Sequence, residues 1–210
     1  MIKTNTNKLK NFFENSYRNI VINEVRKKLL LKIAHKISDS YVFYNHQINI
    51  NFICTHNSRR SQLGQVWTFF ASHYFDLNIN ALSGGTEVTE FHKNTCKTLK
   101  DAGFIFTIKE FSHLNPMYEI SFNGAKKSLI GFSKMYDHSI NKTPYLVLTT
   151  CNNADENCPL IPEAIHRFHL PYKDPKHSDD SPNQEATYLQ TNKEVAAEMY
   201  FLYNEVKNIL

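Results

Sequence analysis

The stretch "NFICTHNSRRSQLGQVWTFF", residues 51–70, changes character twice within one short segment. An apolar run ends at Cys54, a polar turn follows, and an amphipathic pattern begins near Arg59. "INFIC" (50–54) predicts a buried strand and "RRSQLGQVWTFFASHYF" (59–75) a helix, so the cysteine stands where a strand hands over to a helix. In an open α/β sheet this strand end is where ligands bind. The loop "CTHNSRR" turns backbone N–H groups and the positive end of a helix toward its own centre, which makes an anion site. A thiol placed there is favoured as the thiolate by the helix end and by Arg60, and faces the bound anion as a nucleophile.

Similar units continue along the chain. "INALSGG" (79–85) predicts a strand closing in a turn, "EFHKNTCKTLKDAG" (90–103) a helix stopped by Gly103, and "FIFTIKE" a further strand. "PYLVLTT" (144–150) is the clearest strand, and "HRFHL" is strand-like. The last 23 residues place Val195, Met199, Leu202, Val206 and Ile209 on one helical stripe. Strands alternating with helices imply parallel strands joined by right-handed crossovers, hence an α/β sandwich. One segment breaks the rhythm: "MYEISFNGAKKSLIGFSKMYD" (117–137) has two alternating stretches around Asn123-Gly124 and predicts an inserted β-hairpin with a tight turn. The first 45 residues read as a helical extension, with Asn23 as a cap and Val25, Leu29, Ile33 and Ile37 as its apolar stripe. The main domain then spans 46–210.

Composition bounds the function. The chain has 210 residues, 41% hydrophobic and 21% charged, enough for one sizeable core and without the bias of disorder. Its net charge of +4 comes from the first 45 residues, where nine Lys or Arg face three Asp or Glu. The rest offers no basic, aromatic-interleaved face, which argues against a nucleic-acid partner. No run approaches the roughly 20 apolar residues of a membrane span, and no signal-like block opens the chain, so a cytoplasmic location is expected. Four cysteines in such a compartment point to reactive or buried thiols rather than a disulfide framework. Cys96, inside a helical pattern, reads as a core residue.

The spacing Cys54-x5-Arg60-Ser61 resembles the phosphate-binding loop of the low-molecular-weight protein tyrosine phosphatases and of the thioredoxin-coupled arsenate reductases that share their fold. The resemblance covers about residues 48–210 and implies a three-layer sandwich around a four-stranded, mostly parallel sheet. It implies that Cys54 attacks phosphorus or arsenic, that Arg60 clamps the equatorial oxygens, and that residues Thr55, His56, Asn57, Ser58, Arg59, Arg60 and Ser61 surround the oxyanion. Asn57 matches the asparagine that shapes the loop, and Ser61 the serine that hydrogen-bonds the thiolate. It also implies a late Asp-Pro as general acid. Asp174-Pro175 fits in order and distance, with Asp179 and Asp180 as neighbouring alternatives.

Two enzyme readings follow, and "TTCNNADENCPLIP" (149–162) chooses between them. A phosphatase needs only Cys54, Arg60 and Asp174. An arsenate reductase of this type also needs two resolving thiols, which the resemblance assigns to Cys151 and Cys158, leaving a disulfide for thioredoxin to reduce. An arsenate reductase is therefore the first expectation, a phosphatase acting on a phosphate ester the second, and an inactive oxyanion-binding module the third. No tightly bound cofactor or metal is expected. Relatives of this type often hold a potassium ion through a helix glutamate, but Gln65 stands at the matching position. His56 replaces a loop glycine and Arg59 a loop cysteine. Residues 1–45 and the 117–137 segment have no counterpart in compact family members and are candidates for shaping substrate access or a homodimer contact.

Overall fold

A computed structural model of the chain describes residues 6–157 and 161–210. Its centre is β1 (Ile48–Cys54), flanked by β2 (Ile79–Gly85) on one side and β6 (Tyr145–Thr149) on the other, with β7 (Ala164–His169) beyond β6. All three pairings are parallel, in the order β2-β1-β6-β7. The register sets Cys54 opposite Gly85 and Ile53 opposite Thr149. The ends of three strands therefore converge around the cysteine.

Alternation along the strands sorts their side chains onto two faces. Ile48, Ile50 and Phe52 of β1, with Leu146 and Leu148 of β6, enter the main core. That core lies under α2 (Glu24–Phe43), α3 (Arg60–Tyr74) and the long α6 (Gln184–Ile209). Ile53, Tyr145 and Val147 face the other way and pack with Cys54, Cys151, Ala154 and Ile161 in a smaller cluster under α5 (Asn152–Asn157). The expected C-terminal stripe is in place through Val195, Met199, Leu202 and Val206, while Ile209 is exposed.

The N-terminal stripe is shifted from its expected position. In α2 the buried set is Leu30, Ile33, Ala34, Ile37 and Tyr41, and Val25 is exposed. A strict four-residue spacing drifts about 40° per step around a helix of 3.6 residues per turn, so Val25 leaves the face that Ile37 occupies. The earlier helix α1 (Thr6–Asn19) is drawn into the same core by aromatics. Phe13 is fully buried and stacks on Trp67 with ring centroids 5.4 Å apart, and it also meets Phe70, Tyr74 and Tyr200.

"FIFTIKE" is a strand but leaves the main sheet. β3 (Ile105–Glu110), which follows α4 (Lys93–Ala102), pairs antiparallel with β4 (Met117–Ser121), and β4 pairs antiparallel with β5 (Leu129–Gly131). The expected hairpin is thus the outer half of a three-stranded sheet. The connection is a longer loop, residues 122–128; Asn123-Gly124 makes a tight turn inside it, with Ala125 N–H donating to the Phe122 carbonyl (3.0 Å) and Gly124 at φ 90°, but that turn does not join the two strands directly. The mostly exposed β3 explains the departure: it lacks the apolar content a strand buried on both faces requires. No helix among the described residues is long and apolar enough to cross a membrane.

Candidate active site

The loop from Cys54 to Arg60 is held from inside by asparagine. Asn57 takes a left-handed conformation, φ 46°, which an asparagine tolerates better than a branched residue would. Its Nδ2 donates to Ser61 Oγ (2.9 Å), its Oδ1 accepts from the Lys134 backbone N–H (3.0 Å), and its carbonyl accepts from Gln62 Nε2 (3.0 Å). Ser61 Oγ lies 3.0 Å from Cys54 Sγ. Because Asn57 already donates to that hydroxyl, the serine proton is free to point at the sulfur, and the relay runs Asn57 to Ser61 to Cys54. This is the hydrogen bond a thiolate needs.

The left-handed residue of the loop is not His56 but its successor, Asn57. His56 turns its ring outward, 3.2 Å from Glu87 Oε2, and uses its carbonyl to accept from Ser133 Oγ (2.8 Å) and Thr89 Oγ1 (3.2 Å). Gly85 supplies the close approach the loop requires. A Cβ there would stand 2.6 Å from the Thr55 carbonyl oxygen and 2.8 Å from the Asn57 nitrogen. Ser58 is buried, and its carbonyl accepts from His92 N–H at 3.1 Å.

The two arginines part company. Arg59 donates to Tyr188 Oη and to Asp179 Oδ2, both at 2.7 Å, and Tyr188 donates back to Asp179 Oδ1 at 2.7 Å. Its side chain is therefore a strut between the loop and α6, and only its backbone belongs to the oxyanion loop. Burial alone would raise Asp179, but hydrogen bonds from Tyr188 and the charges of Arg59 and His92 outweigh it and hold the carboxyl below its ordinary value. Arg60 meets Asp174, with Nη2 2.5 Å from Oδ2, and Nη1 donates to the Tyr172 carbonyl at 3.3 Å. Arg60 Nε is buried and has no hydrogen-bond partner among the described residues. It is a donor that an oxyanion oxygen in the loop would satisfy.

Of the three candidate acids, Asp174 is the one at Arg60. It caps the short 3-10 helix Pro175–Ser178 by accepting from Lys176 N–H (3.0 Å). Both Asp179 oxygens are engaged elsewhere, and Asp180 lies at a turn with φ 60°.

Cys151 stands at the start of α5, its sulfur accepting from Ala154 N–H at 3.4 Å. Thr55 of the loop reaches it, with Oγ1 3.5 Å from Cys151 Sγ and 3.1 Å from Asn153 Oδ1. Cys54 and Cys151 are both free and buried, and share the small cluster on that face of the sheet. Cys158 lies outside the described residues. Cys96 is a buried free thiol in the main core, and burial pushes it up to about 12.

Behind Cys151, Thr149 donates to Asp155 Oδ1 (2.7 Å) and lies 3.1 Å from His169 Nδ1, while Arg167 bonds both the Asp155 carboxylate and its carbonyl. Burial would raise Asp155, but those hydrogen bonds from Thr149 and Arg167 lower it overall. This network, the Arg59–Asp179–Tyr188 strut and Lys134 escaped the sequence reading, because their members are scattered and share no local spacing. Gln65 offers no carboxylate to a potassium ion, and its amide is engaged by neighbours. Its Nε2 donates to the Ala81 carbonyl (3.0 Å), its Oε1 accepts from Ser83 Oγ (2.6 Å), and the ammonium of Lys134 lies 3.4 Å from the same Ser83 oxygen. Among the described residues no group of three or more His, Cys, Asp or Glu is placed to hold a metal.

Comparison with known proteins agrees with this geometry. The arsenate reductase of Staphylococcus aureus (strain Newman) is 29% identical over 126 residues, 60% of this chain and 77% of the relative. Among solved structures, a YwlE mutant from Bacillus subtilis superposes over 77% of this chain and 99% of its own with a TM-score of 0.55 at 16% identity. A low-molecular-weight protein tyrosine phosphatase from T. tengcongensis does so over 78% and 100% with a TM-score of 0.50 at 19% identity. No family model matches the chain. This chain thus carries the fold of the low-molecular-weight protein tyrosine phosphatases on a sequence similar to the arsenate reductases.

Proposed function

We propose that this chain is an arsenate reductase that uses three of its own thiols, with residues 46–210 as the catalytic unit. Arsenate enters the loop against Arg60 and the loop amides, and the Cys54 thiolate attacks arsenic, forming an S–As bond as one arsenate oxygen leaves as water. Asp174 supplies a proton to that oxygen. The Cys151 thiolate then attacks Cys54 Sγ. The S–S bond forms, the S–As electron pair passes to arsenic, and As(V) leaves as arsenite. Cys158 attacks Cys151 and releases Cys54, and an external dithiol of the thioredoxin type reduces the Cys151–Cys158 disulfide.

The observation that carries this reading is the placement of Cys151 beside the loop, 3.5 Å from Thr55 Oγ1, in the cluster that contains Cys54. With arsenate, thioredoxin, thioredoxin reductase and NADPH, the protein should consume NADPH. That consumption should vanish in Cys54→Ser, Cys151→Ser and Cys158→Ser. Full activity in both downstream variants would sink the three-thiol scheme.

The second reading is a phosphatase using a phosphocysteine on Cys54, for which the loop and the Arg60–Asp174 pair suffice without a resolving thiol. Hydrolysis of para-nitrophenyl phosphate that survives loss of Cys151 and Cys158, together with no arsenate-dependent NADPH consumption, would select it.

A further inference from the structure

Lys134 is 2% exposed, among the largest fully buried side chains, and neither reaction scheme uses it. Its ammonium has Ser83 Oγ at 3.4 Å and lies over the Phe132 ring at 4.9 Å. Around Ser83 stand the amide oxygens of Gln65 (2.6 Å) and Gln62 (3.5 Å), which are neutral. Burial alone, with no charged neighbour contributing, lowers this lysine to about 7. Among the described residues no carboxylate pairs with it, and a buried ammonium is costly unless a nearby anion offsets the lost hydration. The backbone N–H of the same residue donates to Asn57 Oδ1, the pivot of the oxyanion loop (3.0 Å), which places the lysine against the rear of that loop.

We propose that the Lys134 ammonium is the built-in cation behind the oxyanion loop, taking the place of a monovalent metal ion and supporting anion binding from the rear. The misfit of Gln65 with potassium then has a physical cause. Once an ammonium is fixed beside Ser83, a second cation in the same polar pocket is repelled, and a glutamate is no longer needed to hold one. Lys134 is a positioning residue: its backbone N–H holds Asn57, and its ammonium acts on the anion through its field. The inference rests on the loop being an oxyanion site, which the reductase and phosphatase readings share, and not on the choice between them.

The test uses inorganic sulfate, which keeps its charge across the working range and needs no turnover. Sulfate binding is measured by calorimetry on the full chain at about pH 6, on the charged side of the value of about 7 to which burial brings Lys134. Each titration is done in potassium chloride and again in choline chloride. Wild type should bind equally in both salts. Lys134→Met, which keeps the stem and the backbone N–H, should melt no lower than wild type in sulfate-free buffer yet bind sulfate about tenfold more weakly, as expected for a unit charge removed from a partly screened interior. Lys134→Gln should behave in the same way and serves if the methionine variant does not fold. A loss of less than about fivefold in the folded variants, or wild-type binding that needs potassium, overturns the proposal. Loss of NADPH consumption with sulfate binding intact would count against the reductase scheme alone.

Discussion

Replacing Arg26 by methionine probes how the N-terminal helices brace the site. Arg26 Nε donates to Glu198 Oε1 at 2.7 Å and Nη2 to Glu198 Oε2 at 2.9 Å, a fork that matches both carboxylate oxygens. The two side chains are 16% and 11% exposed, so water reaches the pair only at its edge. The guanidinium also lies 4.9 Å from the centre of the Tyr172 ring. Methionine keeps most of the stem contact but leaves Glu198 without its partner. Stranding one member of a fully buried pair costs about 3–5 kcal/mol, and the residual exposure places this site at the low end, about 3 kcal/mol. For a chain of this size that is a fall in Tm of about 6–12 °C. The urea midpoint should fall by about 1–2 M with little change in slope.

The consequence for the site runs through Tyr172, whose carbonyl accepts from Arg60 and which stands two residues before Asp174. KM for the oxyanion substrate should rise several-fold before kcat falls. A cycle with Glu198→Leu isolates the pair: the double variant should recover about 2 kcal/mol of the summed single losses, because no lone charge remains. A single variant within about 0.5 kcal/mol of wild type, or strict additivity in the cycle, would refute the reasoning.

Other expectations follow from the same geometry. Asp174→Asn should lower turnover of an aryl phosphate by about 10²–10⁴-fold, as loss of a proton donor does, and a leaving group that needs no proton should escape most of the defect. Asp179, held below the ordinary carboxyl range, contributes stability that is present above its unfolded value and is lost as pH falls through its folded value. The acid limb of the stability–pH curve in Asp179→Asn should therefore be flatter below about pH 4, and a curve matching wild type would remove the Arg59 strut as its cause. Cys96, raised to about 12 by burial, should resist iodoacetamide in the native protein at pH 8, as peptide mass mapping would reveal, whereas Cys54 should be alkylated and be protected by phosphate. Gly64→Ala should destabilise by about 1–3 kcal/mol, because its Cβ would meet the Phe52 ring at 2.3 Å; unchanged thermal melting would show that the ring can yield.

The loop was legible in the sequence because its chemistry is local. Cys54, Asn57, Arg60 and Ser61 lie within one turn between a strand and a helix, and each contact among them spans few residues. The parallel strands were legible because burial on both faces leaves continuous apolar runs such as "PYLVLTT". β3 was recognised as a strand but not assigned to its sheet, since periodicity reports extension and not the partner. Asn123-Gly124 does form its tight turn, but for a related reason it is not the whole hairpin connection: the pairing of β4 with β5 begins several residues beyond the dipeptide.

By itself the sequence determined a strand–loop–helix that sets a cysteine and an arginine around one turn, and the spacing of a later cysteine pair. Tertiary structure decided where the two loop arginines turn. Arg59 and Arg60 are adjacent and alike in sequence, yet one is turned to Tyr188 and Asp179 and the other to Asp174. It also decided that Cys151 comes to the loop, through the parallel pairing of β1 with β6, and that a lysine far along the chain lies behind Asn57. The physical reason is the same in each case: hydrogen bonds, charge and desolvation act over a few ångströms of space, whatever the separation along the chain, and only packing sets which groups share that space.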